Sequence, residues 1–254
     1  DAAGKEIALS AARFTSGVRK LGWLGDAKTA PLALEVREPH STTYQKGVVT
    51  LIPVASVEAV RYDYAKQTMA VAVKGLPAPV EGTLQFKGIN TFGVEGSAGG
   101  VVGKFAGGVA KDGFKAITFS AAKAPPVREA GPAWRLTIDH PKAMHPTLTV
   151  RRLKALYAAG ATEWLTDDLP TRKGAPLKLD AGAVKQLEVL AVDTNTQTAA
   201  AELTPPDGPP RLVAVPLTRE HGGKTGTLVG LLGEVDAGWK LFPLHAVKLA
   251  APAP

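Results

Sequence analysis

Hydrophobic and polar residues alternate along much of the chain with a period of two, the spacing of a strand with one buried face. Leu32-Ala33-Leu34-Glu35-Val36-Arg37 is one such run. Residues 57–62 and 68–73 predict a hairpin, with 63–67 as its turn. The same layout returns at 187–192 and 198–203, around a turn at 193–197. Arg135-Leu136-Thr137-Ile138 and Leu148-Thr149-Val150 also alternate, and 211–217 and 240–249 complete a β-rich second half. Glycine and proline separate these runs, as expected for short strands joined by tight turns. Two segments read as short helices instead: 152–159, and 162–169 with Thr162 as N-cap.

The chain also repeats itself. Asp63-Tyr64-Ala65-Lys66-Gln67-Thr68 and Asp193-Thr194-Asn195-Thr196-Gln197-Thr198 share an Asp, a turn, and Gln-Thr leading into a strand of small residues. Lys46-Gly47 and Lys173-Gly174 precede them, and Gly82-Thr83-Leu84 has a counterpart in Gly226-Thr227-Leu228. Gly113-Phe114-Lys115 and Gly238-Trp239-Lys240 close the two copies. The expected fold is mainly β: two tandem related β-sandwich or β-barrel domains from internal duplication, with a short helical insertion in the second. The domains are residues 1–124 and 133–254, joined by the Pro- and Gly-rich stretch 125–132.

Composition narrows the class. The 254 residues are 45% hydrophobic and 21% charged, the balance of a packed globular chain and not of a disordered one. No apolar run reaches the roughly 18 residues of a membrane-spanning helix, so the chain is not expected to be transmembrane. Cysteine is absent, which removes disulfides, thiolate nucleophiles and Cys-type zinc sites. The chain opens at Asp1 on small and polar residues, the kind of start that a signal peptidase leaves, and this predicts export. Export without cysteine suits a bacterium. The net charge of +7 favours acidic partners such as an acidic polysaccharide. The densest basic spot, Arg151, Arg152 and Lys154, is too small for a nucleic-acid arm and has no interleaved aromatics, so nucleic acid is not an expected partner.

Familiar catalytic patterns fail on inspection. Gly103-Lys104 and Gly223-Lys224-Thr225 each lack the first glycine of a phosphate loop. Ser120-Ala121-Ala122-Lys123 with Lys224-Thr225-Gly226 matches two elements of the penicillin-recognising serine enzymes, but Ser120 ends a strand and the Ser-Asp-Asn element is missing. One segment carries ligand chemistry: Asp139-His140-Pro141-Lys142-Ala143-Met144-His145. Imidazole with thioether suits copper, and imidazole with carboxylate suits zinc or nickel, so Asp139, His140, Met144 and His145 are the candidate metal ligands. The competing reading is a polar turn between the strands at Arg135 and Leu148, supported by Pro141 and Pro146. Asp167-Asp168 and Glu234 with Asp236 are carboxylate pairs of the kind glycoside hydrolysis uses. Among the four tryptophans, Trp164 is the expected exposed aromatic and Trp239 an expected core residue.

The runs 57–73 and 226–240, which carry Gly226-Thr227-Leu228-Val229-Gly230-Leu231-Leu232-Gly233, resemble uncharacterised exported proteins of planctomycete-type bacteria. The resemblance implies export and carries no activity. The expectation is therefore a non-enzymatic structural or interaction protein of the cell envelope, periplasmic, surface-bound or extracellular, that makes protein–protein contacts and self-assembles. The alternatives are a periplasmic ligand or metal binder, holding copper or zinc at the four residues above, and a carbohydrate-active enzyme using Asp167 or Asp168.

Overall fold

A computed structural model describes residues 10–26, 28–38, 47–66, 68–83, 92–98, 101–106, 115–125, 131–139 and 145–253. Its strands in chain order begin with β1 (Ser10–Ser16), β2 (Val18–Lys20), β3 (Leu32–Arg37), β4 (Val49–Pro53), β5 (Val57–Asp63), β6 (Thr68–Val73) and β7 (Val80–Thr83). There follow β8 (Gly93–Ala98), β9 (Val101–Ala106), β10 (Ala116–Thr118), β11 (Ala133–Ile138), β12 (Thr147–Ala159), β13 (Thr162–Thr166), β14 (Asp168–Leu169) and β15 (Leu177–Lys178). The last are β16 (Gln186–Asp193), β17 (Thr198–Thr204), β18 (Arg211–Pro216), β19 (Thr218–His221), β20 (Lys224–Val235), β21 (Gly238–Phe242) and β22 (Val247–Pro252).

The fold is mainly β, as expected. One large antiparallel sheet runs in the order β18-β17-β16-β22-β11-β12-β20-β21-β4-β3-β2, with β13 added to β12 and β19 to β20. Smaller sheets, β1-β8-β9 and β10-β5-β6-β7, lie beside its β2–β4 end. None of the sheets of the described residues closes into a barrel. The β4–β21 pair sets Leu51 opposite Trp239 and Val49 opposite Leu241, so strands from both sides of residues 125–132 share one sheet.

Burial explains β4, the strand that meets β21. Val49 and Leu51 pack on one face with Leu21, Leu156 and Leu232, while Ile52 packs on the other with Phe14, Leu34 and Val60. A strand covered on both faces reads as a continuous apolar run, and 48–52 does so apart from Thr50. A separate and larger core gathers Trp134, Leu136, Tyr157, Leu187, Ala201 and Phe242 from the strands of the second half.

The two hairpins predicted from the shared Asp-turn-Gln-Thr pattern are built alike. Asp63 stands opposite Thr68, and Asp193 opposite Thr198. Asp63 Oδ1 accepts the Lys66 N–H at 2.9 Å, and Asp193 Oδ1 accepts the Asn195 N–H at 2.8 Å. Each aspartate folds its own turn, the habit that makes Asp common there. Each hairpin also carries a bulge on its first strand.

Two expectations change. Residues 152–159 lie within β12 and 162–166 form β13, so the second half has no helical insertion, and no helix of seven or more residues occurs among the described residues. Leu, Lys and Ala lean towards helix by only tenths of a kcal/mol each. That is outweighed here because β12 is gripped by β11, β20 and β13 and buries Leu153, Ala155, Leu156 and Tyr157. Gly160, at φ +60°, supplies the two-residue turn between β12 and β13. The run 240–249 is also not one strand. It bends at Pro243 into a 3-10 turn, Leu244–Ala246, before β22. Pro53 and the turn Val54–Ser56 make the same corner between β4 and β5, with proline φ of −51° and −54° respectively.

Candidate functional site

The proposed metal segment is the connection between β11 and β12. Its neck is closed by the Ile138 N–H donating to Pro146 O at 2.9 Å. Asp139 is exposed at one end, its N–H bonded to Ala246 O, and His145 stands at the other. His140 and Met144 lie outside the described residues. His145 Nδ1 is 3.2 Å from Glu38 Oε2, and Lys240 Nζ is 2.7 Å from Glu38 Oε1. The Glu38 side chain is 2% exposed and that of Lys240 10%, so a buried ion pair joins the end of β3 to β21, and the half-exposed His145 ties the neck to it. No group of three His, Asp or Glu able to hold a metal occurs among the described residues.

The carboxylate pairs and the basic spot prove to be one arrangement. Arg151 binds Asp236 at 2.6 Å, Arg152 reaches Glu234 at 4.0 Å, and Lys154 binds Asp167 at 2.8 Å. Asp168 is held by Arg219. Each acid therefore faces a cation: Arg152 and Glu234 lie on the paired strands β12 and β20, whereas Asp167 and Asp236 stand in turns and Asp168 on β14.

Trp164 is not an exposed platform. It is 7% exposed and is stacked between Tyr157, with centroids 5.9 Å apart, and His221, at 5.0 Å. Its placement follows from β13 being a strand: Trp164 pairs with Tyr157 across the β12–β13 hairpin. Trp239 is partly buried and meets Trp23 edge to face at 6.4 Å.

A surface that the sequence reading passed over lies at the β18 end of the large sheet. Ala199, Ala201 and Leu203 of β17 point into the core, so Ala200 and Glu202 point outward. Opposite Glu202 stand Glu188 on one side and Leu212 on the other, and opposite Ala200 stand Ala191 and Ala214. Leu190, the bulged residue of β16, is 52% exposed and Leu212 is 74% exposed. The outer face thus carries two leucines, three alanines and two adjacent glutamates. Its sequence signal is the break in alternation at Val189-Leu190, where two apolar residues in succession cannot both face the core.

Among the described residues no helix is long and apolar enough to cross a membrane. Compared with known proteins, the chain matches no family model, no curated protein and no solved structure.

Proposed function

We propose that this chain is a non-enzymatic, exported protein of the cell envelope that self-associates, and that its tandem β organisation arose by duplication. The observation that carries self-association is the outer face of β16–β18, where Leu190 and Leu212 stand exposed beside Glu188 and Glu202. Isolated exposed leucines are ordinary, but two on one face with three alanines form a contact surface. Like charges directly opposite each other on neighbouring strands repel, and a cationic neighbour relieves that repulsion. The chain carries +7 overall, so a second copy brings the complementary sign. An acidic, apolar face meeting a basic surface elsewhere on the next copy is a heterologous contact, which builds chains of subunits instead of closed pairs.

Contact by face suits this end of the sheet better than strand addition. Ala214 O, on the outer edge of β18, already accepts the Arg172 N–H at 2.9 Å. Pro209, Pro210 and Pro216 bracket the same strand, and proline blunts an edge. The duplication reading rests on the two hairpins with the same Asp-capped turn and the same register.

The test is light scattering after size exclusion, with electron microscopy of the fractions, at low and high salt. Assemblies that shrink at high salt and vanish in Leu212→Asp support the proposal. A monomer at every concentration and ionic strength overturns it.

A further inference from the structure

A groove of about 310 Å³ lies between the β2–β4 end of the large sheet and the tip of the β16–β17 hairpin. One wall is a row of charge: Arg19 on β2, with Glu35 and Arg37 two residues apart on β3. Arg37 Nη2 is 2.5 Å from Glu35 Oε2, and Arg19 Nη1 is 4.0 Å from Glu35 Oε1. Arg19 also binds Glu163 of β13. The three side chains of the row are 18 to 32% exposed, so they are fixed by their neighbours yet reachable from solvent. The floor includes Val49 and Leu241, which pair directly across β4 and β21. The far wall is the tip of the β16–β17 hairpin, which brings Thr194 and Gln197. His245 of the corner before β22 also lines the groove.

We infer that this groove binds a carboxylate-bearing sugar, as a residue of an acidic polysaccharide. The inference does not depend on self-association, because none of the residues lining the groove belongs to the outer face of β16–β18. The volume lies at the small end of ligand pockets and suits one or two pyranose rings. Guanidinium is planar and matches a carboxylate with two parallel N–H donors, which a lysine would not do. The apolar floor suits the C–H face of a pyranose. The hydroxyl of Thr194 and the Oε1 of Gln197, whose Nε2 donates to Thr194 O at 2.6 Å, are groups of the kind that bind ring hydroxyls. Glu35 sits between the two arginines and competes with an incoming carboxylate for both of them. Its negative charge therefore sets the affinity and, together with Glu163 on Arg19, holds the arginines in position while the groove is empty.

The competition gives a test whose two arms move in opposite directions. Trigalacturonate is titrated into the full chain by calorimetry or NMR, with neutral galactotriose and a sulfated trisaccharide as controls. Measurements are made on the Leu212→Asp background as well, so that self-association does not enter. The expected result is saturable binding of trigalacturonate, none of galactotriose, and weaker binding of the sulfated sugar. Arg37→Gln weakens binding about tenfold, the loss of one charge-assisted contact. Glu35→Gln tightens it, which a purely structural Glu35 would not do. Thr194→Ala, at an exposed turn, gives a milder loss and serves if Arg37→Gln fails to fold. Equal affinity of the wild type and Arg37→Gln, no saturable trigalacturonate binding, or preference for the sulfated or neutral sugar overturns the inference.

Discussion

The indole of Trp164 lies directly against the backbone of Gly226: a Cβ built on that glycine would stand 2.7 Å from Cζ2 and 2.9 Å from Cζ3 of the ring. Glycine is therefore required by the ring and not by the backbone angles. Gly226→Ala must push Trp164 out of the stack with Tyr157 and His221. The expected cost is about 1 to 3 kcal/mol, the usual range for overpacking a fitted site. Urea unfolding reads the stability, and tryptophan emission reads the displaced ring. A variant within the error of the wild type on both would show that the ring does not sit there.

The alternating runs made the β class and both hairpins legible, because a period of two and an Asp-led turn are local properties. The central strands were harder to read. Residues 152–159 look helical in isolation, and only the neighbours of β12 on both sides make a strand of them. Trp164 was misplaced for the same reason: its surroundings are fixed by Gly226, 62 positions further along (226 − 164). The partner of His145 was equally hidden, since Glu38 is 107 residues away in the chain. Residue types marked the acids and cations around β12 as notable, but pairing them required the sheet register. The exposed Leu190 was within reach of the sequence, because consecutive apolar residues in a half-buried strand mark a bulge or an outward side chain.

Glu38 and Lys240 illustrate how a buried ion pair differs from its parts. Lys240→Met removes the cation 2.7 Å from a carboxylate that is 2% exposed, and leaves that charge with His145 as its remaining ion-pair partner among the described residues. The expected loss is about 3 to 5 kcal/mol. Replacing both groups, as in Glu38→Leu with Lys240→Met, removes the stranded charge as well as the pair. The double variant is expected to be more stable than Lys240→Met alone. Denaturant unfolding of the three proteins decides the matter, and a double variant less stable than either single one would contradict it.

The hairpin turn at Asp193 should be sensitive to acid. The Thr196 hydroxyl and the N–H groups of Asn195 and Thr196 hold its carboxyl below the usual value of 3.8. A carboxyl depressed in the folded state stabilises above its unfolded pKa and loses that contribution as pH falls through the folded one. Asp193→Ala is expected to be less stable than the wild type at pH 7, with the gap closing below about pH 4. Thermal melts of both proteins from pH 7 to pH 3 would show it. A gap that stays constant across that range would mean that the turn gains nothing from the charge.

At the alkaline end the sign reverses, and Tyr157 is the group to watch. Burial raises its phenol from 10.0 to about 12; Arg219 opposes the shift and Asp168 adds to it. A folded pKa above the unfolded one gives stability that is complete below pH 10 and is lost as the pH climbs from 10 towards 12. Tyr62 is also raised by burial, so the wild type has at least two such groups. Tyr157→Phe keeps the ring stacked on Trp164 but removes one of the ionisations that pull the chain open. The variant should therefore lose stability less steeply than the wild type above pH 10. Unfolding midpoints measured between pH 9 and pH 11 test this, together with the phenolate absorbance of the folded protein. Parallel curves for the two proteins would place the alkaline sensitivity elsewhere and leave the buried phenol without a part in it.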